Sequence, residues 1–307
     1  MKKILSVIMV LVMVVAMTGC FYAEDHFTLN ADGSGNVYSY ILIEKEAYDS
    51  MMGMADSMTE EENLVSVTGA EMPVVTIDGI EYYEMEESQD FASVEELEEY
   101  LVASYDDVRV SIDTISFDVT MDEEETEGMT YEDMVETYAA IGIDIETAVE
   151  GYMVFNMPAP IVSTTGELSE DGCSATYFMN MKTMYDGMDI FVTTSEEEAA
   201  NEKIRNGVEN TKITVKSSLT SKGKIKLTWK KSSNYKMDYY EVFRSTKKNS
   251  GYGTKAYYRT SSGKKTSYIN SKVKSGTRYY YKVRGVRVVD GEKIYTEYSN
   301  KANRKAR

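Results

Sequence analysis

The stretch Gly276-Thr277-Arg278-Tyr279-Tyr280-Tyr281-Lys282-Val283-Arg284 sets the architecture of the C-terminal third of the chain. After Gly276, a turn residue, large side chains recur at every second position, namely Tyr279, Tyr281 and Val283. The earlier stretch Lys224-Ile225-Lys226-Leu227-Thr228-Trp229-Lys230 repeats this alternation of apolar and polar side chains. Such alternation is typical of a strand with one buried face. About seven short strands of this kind, with turns between them, predict an all-β sandwich over residues 211–302.

These strands resemble those of fibronectin type III domains. The likeness is carried by Leu227-Thr228-Trp229, Tyr240-Glu241-Val242, Gly276-Thr277 with Tyr279, Tyr281 and Val283, and Tyr298-Ser299-Asn300. The resemblance implies that Trp229 fills the core, with Tyr240, Tyr281 and Val283 as further core residues. It also implies that Tyr279 is the tyrosine-corner residue, whose hydroxyl bonds to a nearby backbone group. Such a module would act as a spacer or in adhesion, and the family identifies no partner.

Charge divides the 307 residues into two parts. Residues 1–210 hold 7 Lys and Arg against 46 Asp and Glu, a net charge of −39, whereas residues 211–307 hold 26 against 5, a net charge of +21. This asymmetry predicts two domains of different electrostatic character. We place a signal peptide at 1–19, an acidic domain at 20–205, a linker at 206–210, the sandwich at 211–302 and a basic tail at 303–307. The polar stretch from Ser195 to Asn210, which joins the two domains, is predicted to be helical.

The acidic part mixes strand and helix signals. Turn clusters at Asp32-Gly33 and Asp78-Gly79 lie between β-rich runs and predict two hairpins. Ser93-Val94-Glu95-Glu96 and the residues after Thr130 begin helical patterns, and a Met-rich helix is expected over 44–57. This order predicts an α+β domain in which helices pack on an antiparallel sheet. Three stretches carry a resemblance: Phe27-Thr28-Leu29-Asn30 with Asp32-Gly33-Ser34-Gly35, Met157-Pro158-Ala159-Pro160 through Gly166, and Asp171-Gly172 to Tyr177. They are similar to extracytoplasmic domains of Gram-positive lipoproteins of unassigned function, over most of residues 24–195.

The N-terminus predicts export. Lys2 and Lys3 precede an apolar run of fourteen residues, which is too short for a membrane-spanning helix and is typical of a signal peptide. Met17-Thr18-Gly19-Cys20 resembles the lipobox of bacterial lipoproteins, which implies cleavage before Cys20 and a lipid anchor on its thiol. The open alternative is an ordinary signal peptide with a chance cysteine. The only other cysteine is Cys173, so a lipidated Cys20 leaves no pair for an intramolecular disulfide.

Residues suited to catalysis or metal binding occur without their usual partners. His26 is the only histidine, so it cannot belong to a multi-histidine metal site. The turn at Asp32 lacks the glutamate that closes a calcium loop, because Ile41 stands at that position. Met51, Met54 and Met58 could hold copper, but their spacing fits a buried helical stripe. We therefore expect no cofactor, no metal site and no catalytic set.

The sequence favours a non-enzymatic surface protein, lipid-anchored outside the cytoplasm, whose basic module binds an anionic envelope component or another protein. Export argues against nucleic acid as the polyanion. One alternative is a glycan-directed enzyme that uses carboxylates of the acidic domain. Another is an intramolecular clamp, in which the basic domain docks on the acidic one. Because Lys226 lies in the second predicted strand and Lys282 in a later one, we expect basic charge on both sheets of the sandwich.

Replacing Trp229 with Ala is expected to lower the free energy of unfolding by about 3–5 kcal/mol, because it removes a large side chain from the predicted core. Denaturant unfolding of the chain, followed by circular dichroism, measures the loss. Thr228→Ala on the polar face of the same strand is the control, with an expected change within about 0.5 kcal/mol. Equal losses for both variants would contradict the prediction that Trp229 lies on the buried face of the strand and Thr228 on the polar face.

Overall fold

A computed structural model of the protein describes residues 21–49, 72–121, 126, 128–140 and 144–307. The chain is mostly β-strand and divides into two compact units, Met1–Glu196 and Glu197–Arg307. The predicted signal peptide, Cys20, the three methionines considered for copper and most of the predicted Met-rich helix lie outside the described residues; of that helix, residues 45–49 are described and are helical. Within the described part, no helix is long and apolar enough to cross a membrane.

Besides the helical residues 45–49, the described part of the first unit contains two sheets and three helices. Its strands are β1 Phe21–Leu29, β2 Gly35–Glu44, β3 Val74–Ile77, β4 Ile80–Phe91, β5 Asp106–Ser111, β6 Thr114–Val119, β7 Val149–Asn156, β8 Ser163–Thr164, β9 Glu167–Leu168, β10 Ser174–Asn180 and β11 Met188–Thr193. The helices are α1 Val94–Val102, α2 Tyr131–Ala139 and α3 Met181–Asp186. Seven strands form one sheet in the order β3-β4-β2-β1-β7-β10-β9, and four form the other in the order β5-β6-β11-β8.

Both predicted hairpins form. β1 pairs with β2, and β3 pairs with β4 across Asp78 and Gly79. Both of these turn residues have positive φ, 50° and 86°, which matches the type I′ turn that fits the twist of a two-residue hairpin. Local turn chemistry therefore sets the register of these strand pairs.

One pairing departs from the predicted antiparallel sheet. β1 runs parallel to β7, with Phe21 opposite Val149 and Thr28 opposite Asn156. Parallel neighbours need a crossover connection instead of a tight turn. Among the described residues, the chain forms three strands of the same sheet, two of the other and the helices α1 and α2, besides the helical residues 45–49, before it returns as β7. A pairing between such distant segments leaves no local signal in the sequence.

The helix N-termini differ in how they are capped. Thr130 and Asp133 form a reciprocal capping box at the start of α2. The pattern Ser93-Val94-Glu95-Glu96 is also typical of a capping box, but no box forms there. The Ser93 side chain makes no capping bond, and Glu96 accepts a hydrogen bond from the Ala92 N–H at 2.7 Å. Glu96 thus satisfies a backbone donor one residue upstream of the position that the pattern predicted.

The two sheets of the first unit share an apolar core. Phe27 and Phe155 of the seven-stranded sheet stack with ring centroids 4.8 Å apart, and Phe117 of the other sheet lies 6.0 Å from Phe155. Leu97 and Leu101 of α1 close this core and are fully buried. A second cluster around Ile43, Tyr131 and Met181 lies under α2 and α3. Met181, which we expected to end a strand, begins α3 instead, with Asn180 as its N-cap.

The second unit consists of one helix and two sheets that enclose a single core. The helix is α4 Glu196–Glu209, and the strands are β12 Ile213–Leu219, β13 Ile225–Lys231, β14 Tyr239–Ser245, β15 Tyr258–Arg259, β16 Ser267–Asn270, β17 Arg278–Val289, β18 Glu292–Tyr295 and β19 Ala302–Lys305. One sheet has the order β12-β13-β16. The other has the order β15-β14-β17-β18, with β19 also paired to β17. The core cluster takes residues from both sheets, which makes the unit a sandwich.

The ends of the second unit differ from the predicted boundaries. The stretch predicted as a linker, 206–210, is mostly the last turn of α4, and Val208 is fully buried in the core of the sandwich. The predicted basic tail, 303–307, supplies most of β19, and Ala306 is buried as well. Polar composition concealed both packed segments, since each buries only one apolar side chain, Val208 or Ala306, while β19 is also paired with β17.

Arg205 anchors α4 within the second unit. Its guanidinium is only 8% exposed and lies within 4.0 Å of carboxylate oxygens from Glu198 and Glu202 of the helix and from Asp290 and Glu292 beside β18. Asn201 donates a further hydrogen bond to Asp290 at 2.6 Å. A buried guanidinium needs such compensation, because an uncompensated buried charge is strongly destabilising.

Arg205→Met is expected to lower the free energy of unfolding by about 3 kcal/mol, since it removes the cation from a cluster of four carboxylates. Lys203→Met is the matched control, because Lys203 is exposed on the same helix and loses the same charge. That control is expected to change stability by no more than about 0.5 kcal/mol. Thermal unfolding of the full chain compares the two; equal effects would show that Arg205 does not anchor the helix.

Candidate anion-binding surface

The five residues predicted for the sandwich core are buried, each with no more than 6% of its surface exposed: Trp229, Tyr240, Tyr279, Tyr281 and Val283. Trp229 contacts Tyr240 edge-on, with ring centroids 5.4 Å apart. The Tyr279 hydroxyl accepts a hydrogen bond from the Lys274 N–H at 3.0 Å, a link from a strand side chain to nearby backbone. These residues organise the interior, and the surfaces outside it carry the charge.

On the outer face of the five-stranded sheet, Lys282 and Arg284 each lie against an aromatic ring. Lys282 Nζ lies 3.3 Å from the ring centroid of Tyr298, and the Arg284 guanidinium lies 3.8 Å from that of Tyr295. Arg284 also binds the Glu241 carboxylate, with an N–O distance of 2.8 Å. These cations therefore already have partners within the module.

This layer of cations and rings has a packing role. It covers Phe243, which points outward from β14 and is nevertheless only 1% exposed, with Lys282 and Arg284 over its ring. Burial, and then repulsion from Arg284 and Lys301, lowers the pKa of Lys282 below that of a free lysine. The aliphatic parts of the Lys282 and Arg284 side chains cover the apolar Phe243 ring. Because these two cations are held by contacts within the module, this face is a poor candidate for an anion-binding surface.

The outer face of the three-stranded sheet is different. Its lysines are Lys216 on β12 with Lys226 and Lys230 on β13, and all three are exposed. Thr228 lies directly opposite Lys216, and the other two lysines are its diagonal neighbours, at a spacing of about 7–8 Å. We call these three residues the lysine face.

The lysine face carries no counter-charge of its own. The remaining outward residues of its strands are Thr214, Ser218, Thr228, Ser267 and Ile269, none of them acidic. Within the described chain, no carboxylate lies at ion-pair distance from the three ammonium groups. Unpaired lysines on a flat sheet, with hydroxyl donors between them, can bind successive anionic groups of an extended polymer.

The placement of lysines on both sheets agrees with the expectation from the sequence, with Lys226 on one sheet and Lys282 on the other. The sequence did not distinguish their roles. The alternation of lysine with apolar residues in β13 gave the one usable signal for the lysine face. The tyrosine rings that contact Lys282 and Arg284 come from β18 and the segment after it. No local sequence pattern predicts these contacts.

The other candidate residues form no assembled site in the described chain. His26 lies 3.0 Å from Glu24, and no group of three or more His, Cys, Asp or Glu residues could hold a metal within the described ranges. Asp32 accepts a hydrogen bond from the Ser34 N–H at 3.1 Å, and its bonds with Ser34 lower its pKa. This is the chemistry of a hairpin turn. Most of the acidic run 122–127 lies outside the described residues.

Comparison with known proteins gives partial likenesses only. No family model and no curated protein matches the chain. Similar solved structures include the pectate lyase Pel3 from Pectobacterium carotovorum, with 16% identity, 30% of this chain and 26% of that chain covered, and a TM-score of 0.25. A Fn3-like protein from Clostridium thermocellum has 29% identity, 30% and 83% coverage, and a TM-score of 0.23.

A third similar structure is the folded domain of LppM from Mycobacterium tuberculosis, solved by NMR. It has 9% identity, covers 57% of this chain and 90% of its own, and gives a TM-score of 0.33. All three TM-scores lie below 0.5, so these likenesses assign no activity. The chain spans only about a quarter of the pectate lyase.

Proposed function

We propose that this protein is a non-enzymatic, lipid-anchored surface protein whose second unit binds an anionic polymer of the cell envelope through the lysine face. The acidic first unit is an α+β extracytoplasmic domain in this proposal. The single observation that carries the proposal is the set of three exposed lysines, which have no acidic neighbour on their sheet. A surface of one sign without internal partners attracts a partner of the opposite sign.

We assign the second unit to the fibronectin type III type within the same proposal. Two antiparallel sheets around Trp229, and a tyrosine that bonds to backbone five residues upstream, support the assignment. Modules of this kind present flat sheet faces at a distance from an anchor. A flat basic face fits an extended polymer with repeated charges better than a small anion, which would need an enclosing pocket.

Replacing Lys216, Lys226 and Lys230 together with Gln is expected to weaken binding of linear polyphosphate about tenfold to hundredfold at 0.15 M salt, because each lysine near an anionic surface contributes about 1 kcal/mol. The slope of log affinity against log salt concentration should fall as well, since fewer counterions are released. Fluorescence anisotropy with the full chain and a labelled polymer measures both quantities.

The matched control replaces three exposed lysines of the β14–β15 connection, Lys247, Lys248 and Lys255, with Gln. It removes the same charge at another place, and we expect less than a threefold effect. If both triple variants weaken binding equally, the charge acts diffusely and the lysine face is not the site. If anionic vesicles of phosphatidylglycerol bind through the lysine face and the polymer does not, the partner is the membrane surface.

Anchoring by Cys20 is the second part of the proposal, and its support is the lipobox-like sequence alone. Cys20→Ala, expressed in a lipoprotein-processing bacterium, is expected to abolish incorporation of labelled fatty acid and to release the protein from the membrane fraction, because the thiol that carries the lipid is gone. Cys173→Ala is the matched control and should retain the label. Full labelling of the Cys20 variant would show that the chain has no lipid at this residue.

A further inference from the structure

The outer face of the seven-stranded sheet in the first unit carries one continuous row of aromatic and acidic side chains. The register places Glu86 of β4 opposite Tyr40 of β2, Tyr40 opposite Glu24 of β1, and Glu24 beside Tyr152 of β7. Phe178 of β10 extends the row next to Tyr152. At the usual strand spacing, this row is about 19 Å long across five strands.

Two contacts connect neighbouring side chains of the row. Tyr152 packs on Phe178 with ring centroids 5.3 Å apart. The Tyr40 hydroxyl donates to Glu84 at 3.0 Å, which attaches a further carboxylate to the row. Burial, together with Glu84, raises the pKa of Tyr40, so its hydroxyl keeps the proton that it donates. One carboxylate is thus fixed by a tyrosine in the middle of the row, and two rings pack together at its end.

The row is accessible, and the basic residue beside it on the outward face of β1 is His26, which lies 3.0 Å from Glu24. Phe178 is 40% exposed, and the Glu24 side chain is 31% exposed. None of the outward-facing residues of β4, β2, β1, β7 and β10 is Lys or Arg. A contiguous exposed apolar patch rimmed by polar residues marks an interaction site, whereas single exposed apolar side chains are ordinary. The residues that define this tyrosine–carboxylate face are Glu24, Tyr40, Glu84, Glu86, Tyr152 and Phe178.

We propose that the tyrosine–carboxylate face is a docking surface for an extended, lysine- or arginine-rich segment of another polypeptide. Charge complementarity selects a cationic occupant, since the face is acidic and its rings present the electron-rich surfaces over which ammonium and guanidinium groups bind. The proposal is independent of the lysine face, which would bind a ligand of opposite sign on the other unit.

The shape of the face selects an extended chain over a small cation. The row lies on a sheet, and no described cluster of residues could enclose a metal ion. The row extends about 19 Å across the strands, and alternate side chains of an extended peptide repeat at about 6.8 Å. An extended cationic chain that lies along the row, across the strands, can therefore place about three basic side chains over its carboxylates and rings.

The test measures binding of a fluorescein-labelled lysine decapeptide to the full chain at 0.15 M salt. The variant Glu24→Gln, Glu84→Gln, Glu86→Gln is expected to weaken binding at least about tenfold. Its control replaces three exposed carboxylates elsewhere on the first unit, Glu99, Glu132 and Glu170, with Gln, and should weaken binding less than about twofold.

A second variant separates the rings from the charge. Phe178→Ser leaves the net charge unchanged and should weaken binding about two- to fivefold, whereas Val102→Ser, also at an exposed apolar position, should have no effect. Circular dichroism confirms that each variant is folded.

Equal losses for the two carboxylate triples, or no loss for any variant, would overturn the proposal. Binding of an amino-sugar oligomer through this face, in the absence of peptide binding, would also overturn it and would identify a cationic glycan as the occupant.

Discussion

Each large sheet of this protein must bury one face against an apolar core, and the alternation of side chains then assigns the other face to water. In the second unit this constraint places Trp229 and Tyr281 inside and the three lysines of the lysine face outside. In the first unit it places Phe27 and Phe155 inside and the tyrosine–carboxylate face outside. The surfaces available for binding follow from the same register that forms the cores.

Charges on these outer faces have two different physical roles. Lys282 and Arg284 cover Phe243, and their charged groups lie against tyrosine rings. These two cations therefore contribute to the packing of the module. The lysine face has no rings over it and no acidic neighbours on its sheet. The net charge therefore overestimates the number of cations that are available to a partner. Cations that are buried or bound to rings lose part of their interaction with solvent and ligands.

Arg205 shows how a polar segment becomes part of a folded unit. The composition of residues 195–210 is that of a solvated linker, yet one guanidinium among four carboxylates and one buried valine attach α4 to the sandwich. The carboxylates come from two segments far apart in sequence. An ion cluster of this kind holds α4 in one position, because movement of the helix would separate Arg205 from Asp290 and Glu292.

The sequence alone determined the features that depend on local periodicity and turn chemistry. Alternation identified β13 and β17 and the buried side of each, and Asp78-Gly79 identified its hairpin, because these signals act over a few residues. Tertiary structure decided the parallel pairing of β1 with β7, the packing of the segments predicted as linker and tail, and the difference between covered and free cations. These contacts join residues from 11 positions apart, as for Arg284 and Tyr295, to 128 positions apart, as for Phe21 and Val149. Such contacts are selected by the energy of the whole core and leave no periodic trace in the chain.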